Sequence, residues 1–187
     1  MNNLVDEYAH QLFDNNNSVK VCAHLRRGDF VTRHSQLPTE DLFLIPAMKY
    51  LIQSSTDNQK ISDVEVLLLS NDHKYADSAK EKIKKLNLTD KVYVARKLNR
   101  IENLNLASRH CDYMLLSASG STFGWSMAYL MPDEKQNNVY YNSQVFKPTH
   151  QKLAATVHEE DFFPAEWNRL VLNKENTTVL VESLQNI

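Results

Sequence analysis

The sequence predicts an α/β domain of the Rossmann type, a parallel sheet flanked by helices. Three observations lead there. Short apolar runs alternate along the chain with longer segments whose apolar residues recur at helical spacing. The run Val64 to Leu69 (VEVLLL) is apolar almost throughout, as in a strand covered on both faces. Strands joined through helices need crossover connections, which are right-handed and build a parallel sheet. With 187 residues the chain can bury one core of ordinary size, so it reads as a single domain over 1–187.

Each element has its own justification. Leu4, Val5, Tyr8, Leu12 and Phe13 form a helical stripe that ends at the polar run Asp14 to Asn17. Val19 to Leu25 reads as a strand. Pro38-Thr39-Glu40 opens a helix reaching about Ser54, with Thr39 as its N-cap. After the strand at Val64 comes an amphipathic helix from Lys74 to Leu86, with Tyr75, Ala79, Ile83 and Leu86 on one stripe. Val92 to Val94 is a short strand, Glu102 to His110 a helix, and Tyr113 to Leu116 a buried strand. Ser121 or Thr122 caps a helix that runs to Leu130 and is stopped by Pro132. Asn138 to Tyr141 is the last clear strand. The core is therefore expected over about 18–145, and the pattern weakens into a tail over 146–187.

Composition excludes several classes of function. Lys+Arg 21 against Asp+Glu 23 gives a net charge of -2, without the basic excess of a nucleic-acid binder. No apolar run is long enough to span a bilayer, and the acidic, amphipathic N-terminus is not a signal peptide as it stands. Cys22 and Cys111 are too few for a disulfide framework or a zinc set, and read as buried free thiols. Three sequons begin at Asn16, Asn87 and Asn176, close to the number chance gives in so asparagine-rich a chain. Gly 3 is far below average usage of about 7%. The three glycines, Gly28, Gly120 and Gly124, all fall inside two short segments.

Sheets of this class bind ligands at the carboxyl ends of their strands. That directs attention to residues 26–30, 70–73, 95–97 and 117–122. In VCAHLRRGDF, period-two alternation puts His24 and Arg26 on one face and sends Arg27 elsewhere. Gly28 permits a sharp turn, and Asp29 pairs with an arginine or caps the loop. An arginine fork at a strand end suits a phosphate, because it donates two parallel hydrogen bonds. A plain surface Arg–Asp pair beside a core histidine fits the same residues, and so does a chance Arg-Gly-Asp adhesion tripeptide. In YMLLSASGSTFGW a buried strand runs into hydroxyl-rich residues and a helix start, which together make an anion site. A small-residue turn with an ordinary serine cap is the competing reading. Ser70-Asn71-Asp72 after a strand is weak alone, being also a routine turn and cap.

Taken together, His24 to Phe30 (H-x-R-R-G-D-F), Ser70-Asn71-Asp72 and Ser121-Thr122-Phe123-Gly124-Trp125 resemble the alpha-1,2-fucosyltransferases of glycosyltransferase family eleven. Asp161 to Trp167 is similar to that family's C-terminal Phe-x-Pro-x-x-Trp region, and the resemblance covers about residues 18–170. It implies inverting, metal-independent transfer of L-fucose from GDP-fucose to the 2-hydroxyl of a galactose-type glycan. No cofactor beyond the donor substrate is implied, and no metal site. The chain would be the donor-binding half of a GT-B type enzyme of the Golgi lumen or membrane, with an acceptor domain expected upstream of the arginine motif.

By the same resemblance Arg26 is the phosphate arginine, with Arg27 and Asp29 ordering its loop. Ser119, Ser121 and Thr122 cradle the diphosphate, and Gly28, Asn71, Asp72, Gly120 and Phe123 belong to the donor site. Glu102 is the nearest carboxylate for reading guanine. Arg26, His24 and Asp29 are the catalytic candidates, the last two as possible bases. A non-catalytic nucleotide-sugar-binding remnant or partner-binding paralogue remains the alternative. A protein-O- or alpha-1,6-type transferase fits less well, because Arg-Arg-Gly-Asp occurs here together with Thr-Phe-Gly-Trp.

Overall fold

A computed structural model describes residues 2–14, 17–32, 35–59, 63–156 and 158–182. The sequon at Asn16 lies outside them. Among the described residues, seven strands form one sheet: β1 Val19–Leu25, β2 Val64–Ser70, β3 Val92–Val94, β4 Tyr113–Leu116, β5 Val139–Asn142, β6 Asn168–Leu172 and β7 Val179–Glu182. Their spatial order is β3-β2-β1-β4-β5-β6-β7. The pairings from β3 through β6 are parallel, and only β6 with β7 is antiparallel. This is the Rossmann-like α/β architecture that the alternating pattern predicts.

The chain first winds from β1 outward to β3, then returns to lay β4 against the other side of β1. That reversal makes the carboxyl ends of β1 and β4 the topological switch point. His24 sits in register with Leu69 on one side and Leu116 on the other. The loops after β1, β2 and β4 therefore emerge side by side.

Helices cover both faces: α1 Asn2–Leu12, α2 Asp29–Thr32, α3 Asp41–Gln59, α4 His73–Lys84, α5 Arg100–His110 and α6 Thr122–Tyr129. Strand alternation decides which helix meets which residue. Val19, Val21, Ala23 and Leu25 of β1 pack under α3 and α4, against Leu44, Met48, Ala79 and Ile83. Cys22, Leu67, Leu69 and Met114 face the opposite layer, against Val5 of α1, Leu106 of α5 and Met127 of α6.

Two expectations need correction. The region past residue 145 is not merely a tail, since β6 and β7 extend the sheet to Glu182. These strands carry half-exposed and polar residues, so their apolar pattern is faint. The two cysteines are buried, as expected, but they are not free: Cys22 and Cys111 form a disulfide. Cys22 faces the α5 layer from central β1, and Cys111 ends α5 just before β4, the neighbour of β1. Topology brings their Cα atoms to 5.8 Å across 89 residues of sequence, and no local signal announces it. Replacing both cysteines with alanine should cost about 2–5 kcal/mol in urea unfolding. Unchanged stability under oxidising conditions would contradict the bond.

Candidate functional site

The site is built on the loop leaving β1. Arg26 emerges at the strand's carboxyl end, its Nη2 hydrogen-bonded to Asp29 at 2.8 Å and its guanidinium 5.3 Å from the Phe30 ring. Its Nε has no hydrogen-bond partner among the described residues. Arg27 turns the other way, as alternation requires. It donates to the Thr39 carbonyl at 2.6 Å and stacks over Tyr75 at 4.3 Å, with Asp72 3.7 Å from its Nε. Arg26 thus lines the cavity between the loops, while Arg27 fastens the loop to the α3–α4 layer.

Gly28 has φ +47, a left-handed conformation that favours glycine. A Cβ there would lie 2.7 Å from Nδ2 of Asn71. Asn71 in turn accepts the Arg27 amide proton at 3.0 Å, so the β2 loop braces the arginine loop. Ser70 and Asp72 serve as turn and cap: Ser70 Oγ accepts the Asp72 amide, and Asp72 caps α4 by accepting from Tyr75.

Thr39 is not the cap of α3, which begins at Asp41. It is fully buried and joins three segments. Its amide donates to the Arg26 carbonyl at 2.8 Å, and its Oγ1 accepts the Arg26 amide at 2.9 Å. Ser117 spends its proton on the His24 carbonyl, so Thr39 must donate across the 2.8 Å Thr39–Ser117 contact. The ends of β1 and β4 are thereby locked together.

After β4 the turn 117–121 leads into α6. Ser121 is the N-cap, its Oγ accepting from the Gly124 amide. The amides of Thr122 and Phe123, first in the helix, have no intrahelical acceptor and mark the positive end of the helix dipole. Ser119 is placed differently from a cradle residue: it is buried and its hydroxyl donates to the Asn142 carbonyl on β5 at 2.5 Å. Gly124 brings α6 onto β1, since a Cβ there would lie 2.4 Å from Nδ1 of His24. The Phe123 ring meets the His24 ring edge-on at 6.0 Å.

Between these segments lies a cavity of about 790 Å³. The β1 end and its loop contribute His24, Arg26 and Asp29, and the turn after β4 with the start of α6 contributes Gly120, Ser121, Thr122 and Phe123. Asn71 closes the β2 side. The fold thus brings these eight residues together, and leaves Arg27, Gly28, Asp72, Ser119 and Glu102 outside the lining. Glu102 departs furthest from the expected role. It accepts the Asn99 amide at 2.7 Å in a capping box that starts α5 at Arg100. The cavity's far end is formed instead by Leu98, Arg100 and Asn103. Gln36, Phe30, Leu69, Ser70 and Met127 also line it. Nothing local marks a site at Gln36, Leu98, Arg100 or Asn103, because only the crossover returns them to the switch point. From the predicted 95–97 loop no residue lines the cavity, and Arg96 pairs with Asp77.

His24 is buried, and desolvation, reinforced by the Arg26 charge, pushes its pKa down to about 4. It is therefore neutral at physiological pH. The unfolded chain binds this proton near pH 6.5, so stability should fall as pH drops from about 6.5 towards 4. The loss attributable to His24 is on the order of 3 kcal/mol. Unfolding of the wild type and of His24→Gln across that range should show the steeper slope in the wild type. Among the described residues, no group of three or more His, Cys, Asp or Glu side chains gathers to hold a metal. No described helix is long and apolar enough to cross a membrane.

The sequence profile of glycosyl transferase family 11 matches residues 2–170. The chain belongs to glycosyl transferase family 11. Among the relatives of this family 11 chain is a galactoside 2-alpha-L-fucosyltransferase of Caenorhabditis elegans, 31% identical over 162 residues. That match covers 86% of this chain and 42% of the relative. A second protein of that name from the same organism is 25% identical over 169 residues, covering 80% of this chain and 40% of the relative. The family 11 chain thus spans about two fifths of the length of these curated relatives.

Proposed function

We propose that this chain is the donor-binding part of a galactoside alpha-1,2-fucosyltransferase. It would transfer L-fucose from GDP-fucose to the 2-hydroxyl of a galactose-type glycan, with inversion and without a metal. One observation carries the reading: Arg26 and the N-terminus of α6 line one cavity at the switch point of the sheet.

In the reaction the bond from the fucose anomeric carbon to the β-phosphate oxygen breaks, and a bond to the acceptor oxygen forms on the opposite face. Negative charge grows on the departing phosphate, and the acceptor hydroxyl gives up its proton. Arg26 and the first amides of α6 are fixed donors for that charge, held before the reaction begins. Asp29 holds one edge of the guanidinium and sets its direction. His24, uncharged, is chemically able to accept a proton. The far end at Leu98, Arg100 and Asn103 falls to the base of the nucleotide, in place of Glu102.

The buried disulfide supports folding in an oxidising compartment such as the Golgi lumen. The sequon asparagines Asn87 and Asn176 are both exposed on turns, where a glycan could be attached.

Titration with GDP and GDP-fucose, followed by a transfer assay on a galactoside with and without EDTA, tests the proposal. Binding with EDTA-resistant transfer is the expected result. Binding without transfer would assign the chain to the non-catalytic remnant class, and failure to bind GDP would reject the donor site.

A further inference from the structure

Thr39 does not line the cavity, yet each of its polar groups is spent on the arginine loop that does. Its amide donates to the Arg26 carbonyl, and its carbonyl accepts from the Arg27 guanidinium. Its Oγ1 accepts the Arg26 amide proton at 2.9 Å and donates to Ser117 Oγ at 2.8 Å. The hydroxyl has no capping role to account for it, since α3 begins two residues later at Asp41. Thr39 is itself held firmly. The Leu37 amide donates to the Val145 carbonyl at 2.8 Å, and Pro38 fixes φ between them. Ser117 is anchored in turn: its Oγ donates to the His24 carbonyl at 2.7 Å, and Asn142 of β5 donates to its carbonyl at 3.4 Å. Both Ser117 and Asn142 are buried. One hydroxyl therefore ties the Arg26 main chain to the turn that leads into α6.

We propose that Thr39 is a positioning residue of the donor site, its hydroxyl setting where the Arg26 guanidinium stands against the phosphate. The inference rests on the donor-site reading above and adds a residue to which that reading gives no task. Arg26 stands one residue past the end of β1, and Thr39 holds both its amide and its carbonyl. The direction of a guanidinium follows from the main chain that carries it, so a shift there is a shift at the phosphate. Valine keeps the shape of threonine and removes the hydroxyl. The Arg26 amide then lacks its acceptor, and meeting it again requires the strand end to move or water to enter beneath it. Such sites tolerate little movement: a displacement of about 1 Å arising away from the chemistry can cost about a hundredfold. Serine, by contrast, retains the hydroxyl and with it the link from Arg26 to Ser117.

The test compares GDP and guanosine affinities, by ligand-observed NMR, in the wild type, Thr39→Val, Thr39→Ser and Ser117→Ala. Thr39→Val is also made in an Arg26→Ala background. Thr39→Val should bind GDP at least about tenfold more weakly, and Thr39→Ser should return to within about threefold of the wild type. Guanosine, which lacks the phosphates, should bind each variant within about twofold of the wild type, which also reports that they are folded. In the Arg26→Ala background Thr39→Val should cost no more than about a further twofold, because the hydroxyl acts through Arg26. Unchanged GDP affinity in Thr39→Val would overturn the proposal, as would Thr39→Ser binding as weakly as Thr39→Val. The same loss with and without the Arg26 side chain, or a parallel loss of guanosine by a folded Thr39→Val, would overturn it too. Should Thr39→Val not fold, Ser117→Ala decides, since it removes the partner that orients the Thr39 hydroxyl. GDP binding about threefold weaker with guanosine unchanged is then expected, and unchanged GDP binding would overturn the proposal. Failure of the wild type to bind GDP would instead reject the donor site itself.

Discussion

Arg26→Ala is expected to lower GDP-fucose turnover by about a hundredfold to a thousandfold, the usual cost of removing one preorganised donor to a developing charge. Where turnover is not measurable in the isolated chain, the same variant should weaken GDP binding strongly. Stability should change little. The Arg26–Asp29 pair is partly exposed, and such pairs contribute only about 0–1 kcal/mol. The bonds that lock the loop use the Arg26 main chain, which alanine keeps. Arg26→Lys should recover only part of the loss, because an ammonium lacks the planar fork. Steady-state kinetics and calorimetry beside urea unfolding separate the two effects. Normal turnover in Arg26→Ala would remove this residue from the site.

Gly124→Ala is expected to be strongly destabilising, although it adds a single methyl group. Its Cβ would stand 2.4 Å from Nδ1, 2.9 Å from Cγ and 3.0 Å from Cε1 of His24. Neither partner can yield, since His24 lies on the central strand and Gly124 in the helix packed on it, both buried. Alanine would gain about 1 kcal/mol of helix propensity. Overpacking costs about 1–3 kcal/mol and sometimes more. The net result should be a destabilised protein in which α6 is pushed away from β1. GDP affinity should fall as well, because that displacement moves the helix amides relative to Arg26. In a double-mutant cycle, His24→Ala should relieve much of the cost of Gly124→Ala. Additive losses would show that the contact is not the cause.

Much of the site was legible because strand alternation and capping are local rules. Period two placed His24 and Arg26 together and sent Arg27 away, and the structure has all three so disposed. A serine before a helix start marked the Ser121 cap. Three of the misreadings share one physical origin, a partner distant in sequence, whereas the Glu102 cap is local. Cys22 and Cys111 meet only through the β1–β4 pairing. Ser119 looked like a cradle hydroxyl because its partner, the Asn142 carbonyl, sits on a strand formed later in the chain. Thr39 has cap chemistry, yet the fold uses it to join β1 to β4. Glu102 was free on paper, but three residues upstream Asn99 completes a capping box with it. Arg100 and Asn103, by contrast, carry no mark of a site until the sheet brings them to the cavity.

The central claim is that Arg26 and the start of α6 form one diphosphate site at the switch point. The structure of the chain with GDP bound tests it most directly. The β-phosphate should lie within about 2.7–3.1 Å of donors on both Arg26 and the Thr122 or Phe123 amides, with the base towards Arg100 and Asn103. GDP bound elsewhere, or in the cavity without touching Arg26, would contradict it.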